Sequence, residues 1–172
     1  SNKMYVLATF GIDTDNESLD NAYVRTFEAS GTEMSRFDYD SFTQTLKMAG
    51  LASVGYSFRK ADRVGFSAFY ARNAVDSYMA RQGHDEEGIR LKGSNQNSHV
   101  YELQNYQLTG HHVLGKWDTD WSGSYSKTSS EEPDRRQVMF RQMSDGTWDL
   151  FKLNAQETMR YFGSLDEKEW NG

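Results

Sequence analysis

The sequence predicts an all-β chain folded as an antiparallel up-and-down sheet. Three observations carry this. Apolar and polar residues alternate with period two in several runs, very short polar breaks join some runs in pairs, and longer polar stretches separate the pairs. A helical period of 3.6 would mix the two residue sets, so these runs are strands.

The first strand is expected at Met4–Ile12, where alternation is looser. Asp13 to Asp40 is acidic and polar and is expected to be a long loop. The second strand, Leu46–Phe58, is most regular at its end. Ala52, Val54, Tyr56 and Phe58 oppose Leu51, Ser53, Gly55 and Ser57. Arg59 to Arg63 is a charged break of the kind that turns a hairpin. The third strand, Val64–Ala80, sets Val64, Phe66, Ala68 and Tyr70 against Gly65, Ser67, Phe69 and Ala71. Gln82 to Ser98 is the second long loop.

In the fourth strand, His99–Leu114, the residues Leu108, Gly110, His112 and Leu114 share a face. Gly115-Lys116 is a tight turn. The fifth strand, Asp118–Lys127, is the sharpest, and the residue before it belongs to the same pattern. Trp117, Thr119, Trp121, Gly123 and Tyr125 lie on one side, with Asp118, Asp120, Ser122, Ser124 and Ser126 on the other. It is expected to run on into Val138–Gln142 as a ribbon. Lys127 to Glu167 is the longest connection, and Glu169 to Gly172 opens another strand. Strand order in space should follow strand order in the chain.

Composition bounds what these strands serve. The chain has 172 residues, 19 Lys+Arg and 25 Asp+Glu, for a net charge of −6. That balance argues against nucleic acid, whose phosphates want a basic patch. The absence of Cys removes disulfides, thiol catalysis and Cys-type zinc sites. The longest apolar stretch, Met4 to Ala8, is far short of a membrane helix. No signal segment opens the chain. No linker divides it, so residues 1–172 are expected to form one segment of one domain.

Alternation of this kind fits a soluble β-sandwich or a membrane β-barrel. The polar faces hold Ser, Gly and Asp rather than the Lys, Glu and Thr usual on soluble strands. The apolar faces carry aromatics, as do the girdles of membrane barrels. Short turns alternate with long loops, the asymmetry of outer-membrane barrels. The barrel is the better expectation, with Tyr56, Phe58, Phe66, Tyr70, Trp117, Trp121 and Tyr125 as its lipid-facing band. Only five strands are convincing, and an odd count does not close the usual bacterial barrel. The chain is therefore expected to be a piece of a larger one.

Trp117-Asp118-Thr119-Asp120-Trp121-Ser122-Gly123-Ser124-Tyr125-Ser126, followed by Glu132-Pro133-Asp134-Arg135-Arg136, resembles the barrel of TonB-dependent receptors of Bacteroidetes-type bacteria. Gly50 to Phe58 with Val64 to Ser67, and Arg160 to Glu167, are similar to the same family. The likeness covers most of Leu46 to Gly172. It implies a segment of a large transmembrane β-barrel, of about 22 strands, with long extracellular loops. It implies the cell outer membrane, and as partners lipid, the rest of the barrel, a plug and an energy-coupling inner-membrane complex. The implied cargo is a bulky nutrient: an iron chelate, cobalamin, a glycan or a peptide. The other expectation is a self-contained soluble β-sandwich that binds carbohydrate or cell-surface ligands.

No catalytic site is expected, since no G-x-S-x-G, P-loop or H-E-x-x-H occurs. No cofactor or metal is expected either. His84-Asp85-Glu86-Glu87 reads as a solvated loop. Asp13, Asp15 and Glu17 begin like a calcium loop, but Ser18 and Val24 stand where Gly and Glu are needed. His111 and His112 should point to opposite faces, His111 to the lumen and His112 to lipid or the interface, and cannot share an ion. Asp118 and Asp120 should line a wet surface. Arg135, Arg136 and Trp148 are the candidate loop contacts to a ligand, with Asp134 or Glu131 pairing with Arg135 or Arg136. The isolated segment, with raw edges and an uncovered aromatic face, is expected to associate with itself.

Overall fold

The computed structural model describes residues 3–58, 62–152 and 158–172. They form one open seven-stranded sheet: β1 Lys3–Phe27, β2 Glu33–Ser57, β3 Arg63–His84, β4 Arg90–Leu114, β5 Trp117–Gln142, β6 Trp148–Leu150 and β7 Met159–Asn171. Every pairing is antiparallel, and β1 to β5 lie side by side in chain order. The far edge of β5 is shared by β6 and β7, β6 pairing with Phe140 to Gln142 and β7 with Ser124 to Gln137.

The strands are far longer than the alternation suggests. β1, β2 and β4 each run 25 residues, which at 3.2–3.4 Å per residue is roughly 80 Å. Most of the three stretches expected as long loops is therefore strand. Residues 13–27 and 33–40 continue β1 and β2, 82–84 and 90–98 belong to β3 and β4, and 127–142 and 159–167 to β5 and β7. The extension of the fifth strand through Val138–Gln142 is present. The earlier boundaries marked only where one face is apolar; the ladder continues where both faces are polar, because backbone pairing needs no apolar face.

Among the described residues the turns between paired strands are short at both ends. At one end Gly115 (φ 66°) starts the two-residue turn from β4 to β5, as expected. Residues 59–61 of the β2–β3 turn lie outside the described residues. At the other end three turns share one design: Glu28 to Thr32, Asp85 to Ile89 and Met143 to Thr147. In each, the first residue's N–H donates to the fifth residue's carbonyl at 2.8–3.1 Å. The fourth residue is Gly31, Gly88 or Gly146, with φ between 75° and 88°. This is a three-residue loop closed by a left-handed glycine. His84-Asp85-Glu86-Glu87 is the second such turn, and Asp85 Oδ1 accepts the N–H groups of Glu87 and Ile89 at 3.0 and 2.9 Å.

Three register slips adjust the ladder among the described residues, one of them between Thr26 and Phe27 beside the Gly31 turn. On β1 the register slips between Leu19 and Ala22, where Asn21 adopts φ 57° and donates its N–H to Asp40 Oδ1 at 2.8 Å. On β5 it slips past Glu132 against both neighbours. Pro133 sits in that slip, where a residue without an N–H interrupts least. Among the described residues the buried apolar side chains form one small cluster near the Gly88 turn: Leu91, Met139 and Phe151, with Phe37 and Ile89 against it.

A candidate membrane-facing band and the polar face behind it

Directly paired residues on adjacent strands share a face, so the register sorts the sheet into two sides. Near the Gly115 end one side is apolar on every long strand. It carries Met4, Val6, Phe10 and Ile12 from β1, and Tyr56 and Val54 from β2. Val64, Phe66 and Tyr70 follow from β3, then Leu108 and Leu114 from β4, and Trp117, Trp121 and Tyr125 from β5. Six of the seven band residues expected from the sequence thus share this face by pairing. Phe58, just past β2, is edge-on to Tyr56 with ring centroids 4.8 Å apart. The β1 residues and Trp170 of β7 were missed, because β1 alternates loosely and β7 contributes only its end.

The band has aromatic borders. Across β4, β5 and β7, Tyr106, Tyr125 and Trp170 form a row with centroid separations of 6.4 and 4.4 Å. Near the turn, Trp121 stacks on His112 at 6.3 Å. The upper border descends along the ladder. Ile12 still faces Met48, but the next partners are Arg72 and Glu102. The row through Tyr125, Tyr106, Ala68 and Ala52 meets β1 at Ala8, four positions below Ile12 after four strand-to-strand steps. Charge begins directly above the border on the same face, with Arg72, Glu102, Lys127 and Lys168. Nothing in the sheet covers the band: Met4 is 69% exposed and Trp117 77%.

The opposite side at the same height is mostly small and polar, although Leu7, Leu51, Phe69 and Val113 also lie on it. Ser53, Gly55 and Ser57 face Ser67, Gly65 and Arg63, and Thr109 and Gln107 face Ser122 and Ser124. Tyr5 lies over Gly55. His111 is on this side and His112 on the band side, as expected from their alternation. Asp118 and Asp120 do more than line a wet surface. His111 Nδ1 lies 3.4 Å from Asp118 and 2.8 Å from Asp120. Asp13 and Glu17 are strand residues, and Asp13 approaches Lys47 at 3.8 Å.

The residues singled out as ligand contacts do not converge. Arg136 pairs with Gln96 and Arg160 on the band side of the sheet, whereas Arg135 pairs with Asn97 and Tyr161 on the polar side. Arg135 approaches Glu132 at 3.9 Å and stands 5.7 Å from the Tyr161 ring centre. Trp148 is in β6 rather than a loop, with the Lys92 ammonium 4.2 Å over its ring. The expected pairing of Asp134 with Arg136 is present at 2.9 Å, and Arg160 adds a second cation at 2.8 Å. The hydrogen bond from Arg160, reinforced by the charge of both arginines, holds the Asp134 carboxyl below the usual carboxylate range.

No family model matches the chain, and no curated protein matches it.

Proposed function

We propose that the chain is a wall segment of an outer-membrane β-barrel that imports bulky nutrients, of the TonB-dependent receptor type. One observation carries this: an uncovered apolar band, bordered by aromatics, concentrated at the Gly115 end of a sheet whose other face is mostly small or polar at the same height, Leu7, Leu51, Phe69 and Val113 excepted. Soluble sheets bury such a face. In a bilayer it meets acyl chains, and the Ser/Gly/Asp face lines the lumen.

The descending border supports the same reading. Strands tilted by about 40° and spaced about 4.8 Å shift by roughly 4 Å, slightly over one residue, per strand when a flat membrane cuts them. The observed drop is four residues over four steps. Beyond the band, the paired ribbons carry the three glycine turns well past a hydrocarbon core of about 30 Å. In this reading β1 and β7 continue into further strands of the barrel around a plug. The ribbons meet the nutrient, whether iron chelate, cobalamin, glycan or peptide, and an inner-membrane complex supplies the energy. The soluble sandwich would need a second sheet over Trp117, Trp121 and Tyr125, and the described residues form a single layer.

Brominated acyl chains test the proposal, since they quench tryptophan only in the hydrocarbon layer. The chain is inserted in such vesicles with Trp121 or Trp148 as its sole tryptophan. Quenching of Trp121 with Trp148 unaffected is expected. Equal response of the two, or none, rejects the membrane band.

A further inference from the structure

We propose that His111, Asp118 and Asp120 form a binding site for a divalent transition-metal ion of the zinc class, on the polar face beside the Gly115 turn. The hairpin builds it. Because Gly115-Lys116 closes β4 onto β5 in two residues, His111 is paired directly with Asp120. Asp118, two positions nearer the turn, faces the same way. The three ligand atoms all lie within 4.8 Å of one another.

The spacing suits an ion. Zinc binds imidazole nitrogen at about 2.0–2.1 Å and carboxylate oxygen at about 2.0–2.2 Å, so neighbouring ligand atoms at angles of about 90–110° stand roughly 2.9–3.4 Å apart. His111 Nδ1 stands 3.4 Å from Asp118, within that range, and 2.8 Å from Asp120, a hydrogen bond that must open slightly to admit an ion. The imidazole is held against the sheet, its side chain 19% exposed, while the aspartates are 68% and 79% exposed; Asp120 Oδ1 accepts a hydrogen bond from His111 Nδ1, and an ion would take the place of that proton. An ion therefore enters by turning two surface carboxylates, with no change in the ladder. Imidazole selects against calcium and magnesium, which prefer oxygen ligands alone. Arg63, paired with His111 on β3, is the one cation directly opposite the histidine and opposes binding without cancelling two carboxylates. Three protein ligands leave the remaining positions to water or to a donor atom of another molecule. This inference stands on the hairpin alone and is independent of the membrane reading.

Zinc titration of the tag-free chain in detergent, followed by calorimetry, tests it. One ion per chain is expected. His111→Ala, or Asp118→Asn with Asp120→Asn, should weaken binding by about tenfold or more. His84→Ala and His99→Ala should not. Arg63→Ala should tighten binding roughly threefold by removing a like charge. Histidine ¹⁵N resonances of the unmutated chain give a readout that needs no variant: zinc should move the Nδ1 resonance of His111 and leave His84 and His99 in place. Absence of saturable binding at micromolar zinc, unchanged affinity in His111→Ala, or a response confined to other histidines overturns the proposal.

Discussion

The Trp121 indole occupies the space that a side chain at Gly110 would fill. The two residues are directly paired across β4 and β5, and a Cβ built on Gly110 would meet the ring. The missing side chain lets the indole lie against the strand and stack on His112. Gly110→Ala should therefore lift the ring, break that stack and cost about 1 kcal/mol, at the low end for overpacking because the ring can swing aside. Gly123→Ala meets only the Asn171 carbonyl at 3.9 Å and should be nearly silent. Tryptophan fluorescence and thermal unfolding of the two variants check the contrast.

Asp134 predicts an acid response of the bulge in β5. Its folded-state carboxyl is held below the ordinary value of 3.8. A depressed carboxylate stabilises the folded state fully above its unfolded value, and that contribution is lost as pH falls through the folded one. Hence the Arg136–Asp134–Arg160 bridge should persist at neutral pH and release only below about pH 4. Asp134→Asn should remove this pH dependence and free both guanidiniums. Carboxyl NMR titration follows it directly; an Asp134 that titrates at or above its ordinary value contradicts the prediction.

Legibility in the sequence followed the chemistry of the faces. Trp117 to Ser126 could be read residue by residue, because one side is apolar and the other is not. Residues 13–27 are as extended and as well paired, yet Asp13, Asp15 and Glu17 alternate with Thr14, Asn16 and Ser18. With both faces polar, period two leaves no trace. The glycine turns did have a signal: Gly31, Gly88 and Gly146 each stand fourth in a five-residue break that holds Ser, Asp or Glu. The cluster of His111 with Asp118 and Asp120 was hidden for another reason. Along its own strand each residue stands alone, and the partnership exists only across the ladder.

Gly93 should matter more than Gly110. A Cβ there would meet the Val138 carbonyl and the Met139 sulfur, beside the only buried cluster among the described residues. A backbone carbonyl cannot swing away as an indole can. Gly93→Ala is expected to cost about 1–3 kcal/mol and to open the ribbons near the Gly88 turn while the Gly115 end stays paired. Amide hydrogen exchange resolves the two ends. Uniform loss of protection along β4 and β5 would contradict it.

Self-association of the isolated chain follows from its edges and its band. β1 presents an unpaired edge along its whole length, and Phe10 and Ile12 beside it are 69% and 64% exposed. Such an edge templates pairing, and such a patch drives association. Without detergent the chain should scatter light as large species; detergent that covers the band should reduce it to small ones. A detergent-free monomer at high concentration would mean that the band is covered by something the sheet does not display.

Leu108 and Gln107 are neighbours in β4 that face opposite sides, and they distinguish the two faces most directly. Leu108 is paired with Phe66 and Gly123 within the band, whereas Gln107 is paired with Ser67 and Ser124 on the polar side. An arginine on the lipid face of a membrane barrel costs about 2–4 kcal/mol near the midplane and little toward the lumen. Leu108→Arg should therefore block most insertion into vesicles, and Gln107→Arg should insert almost as the unmutated chain does. Both changes add the same charge to the same strand one residue apart, so strand propensity and net charge cannot separate them. Beyond the loss of a leucine rather than a glutamine, only the surroundings of the two faces differ. The fraction of chain reaching a protease-protected form in vesicles measures the difference, and equal insertion of the two variants would show that neither face is turned to lipid.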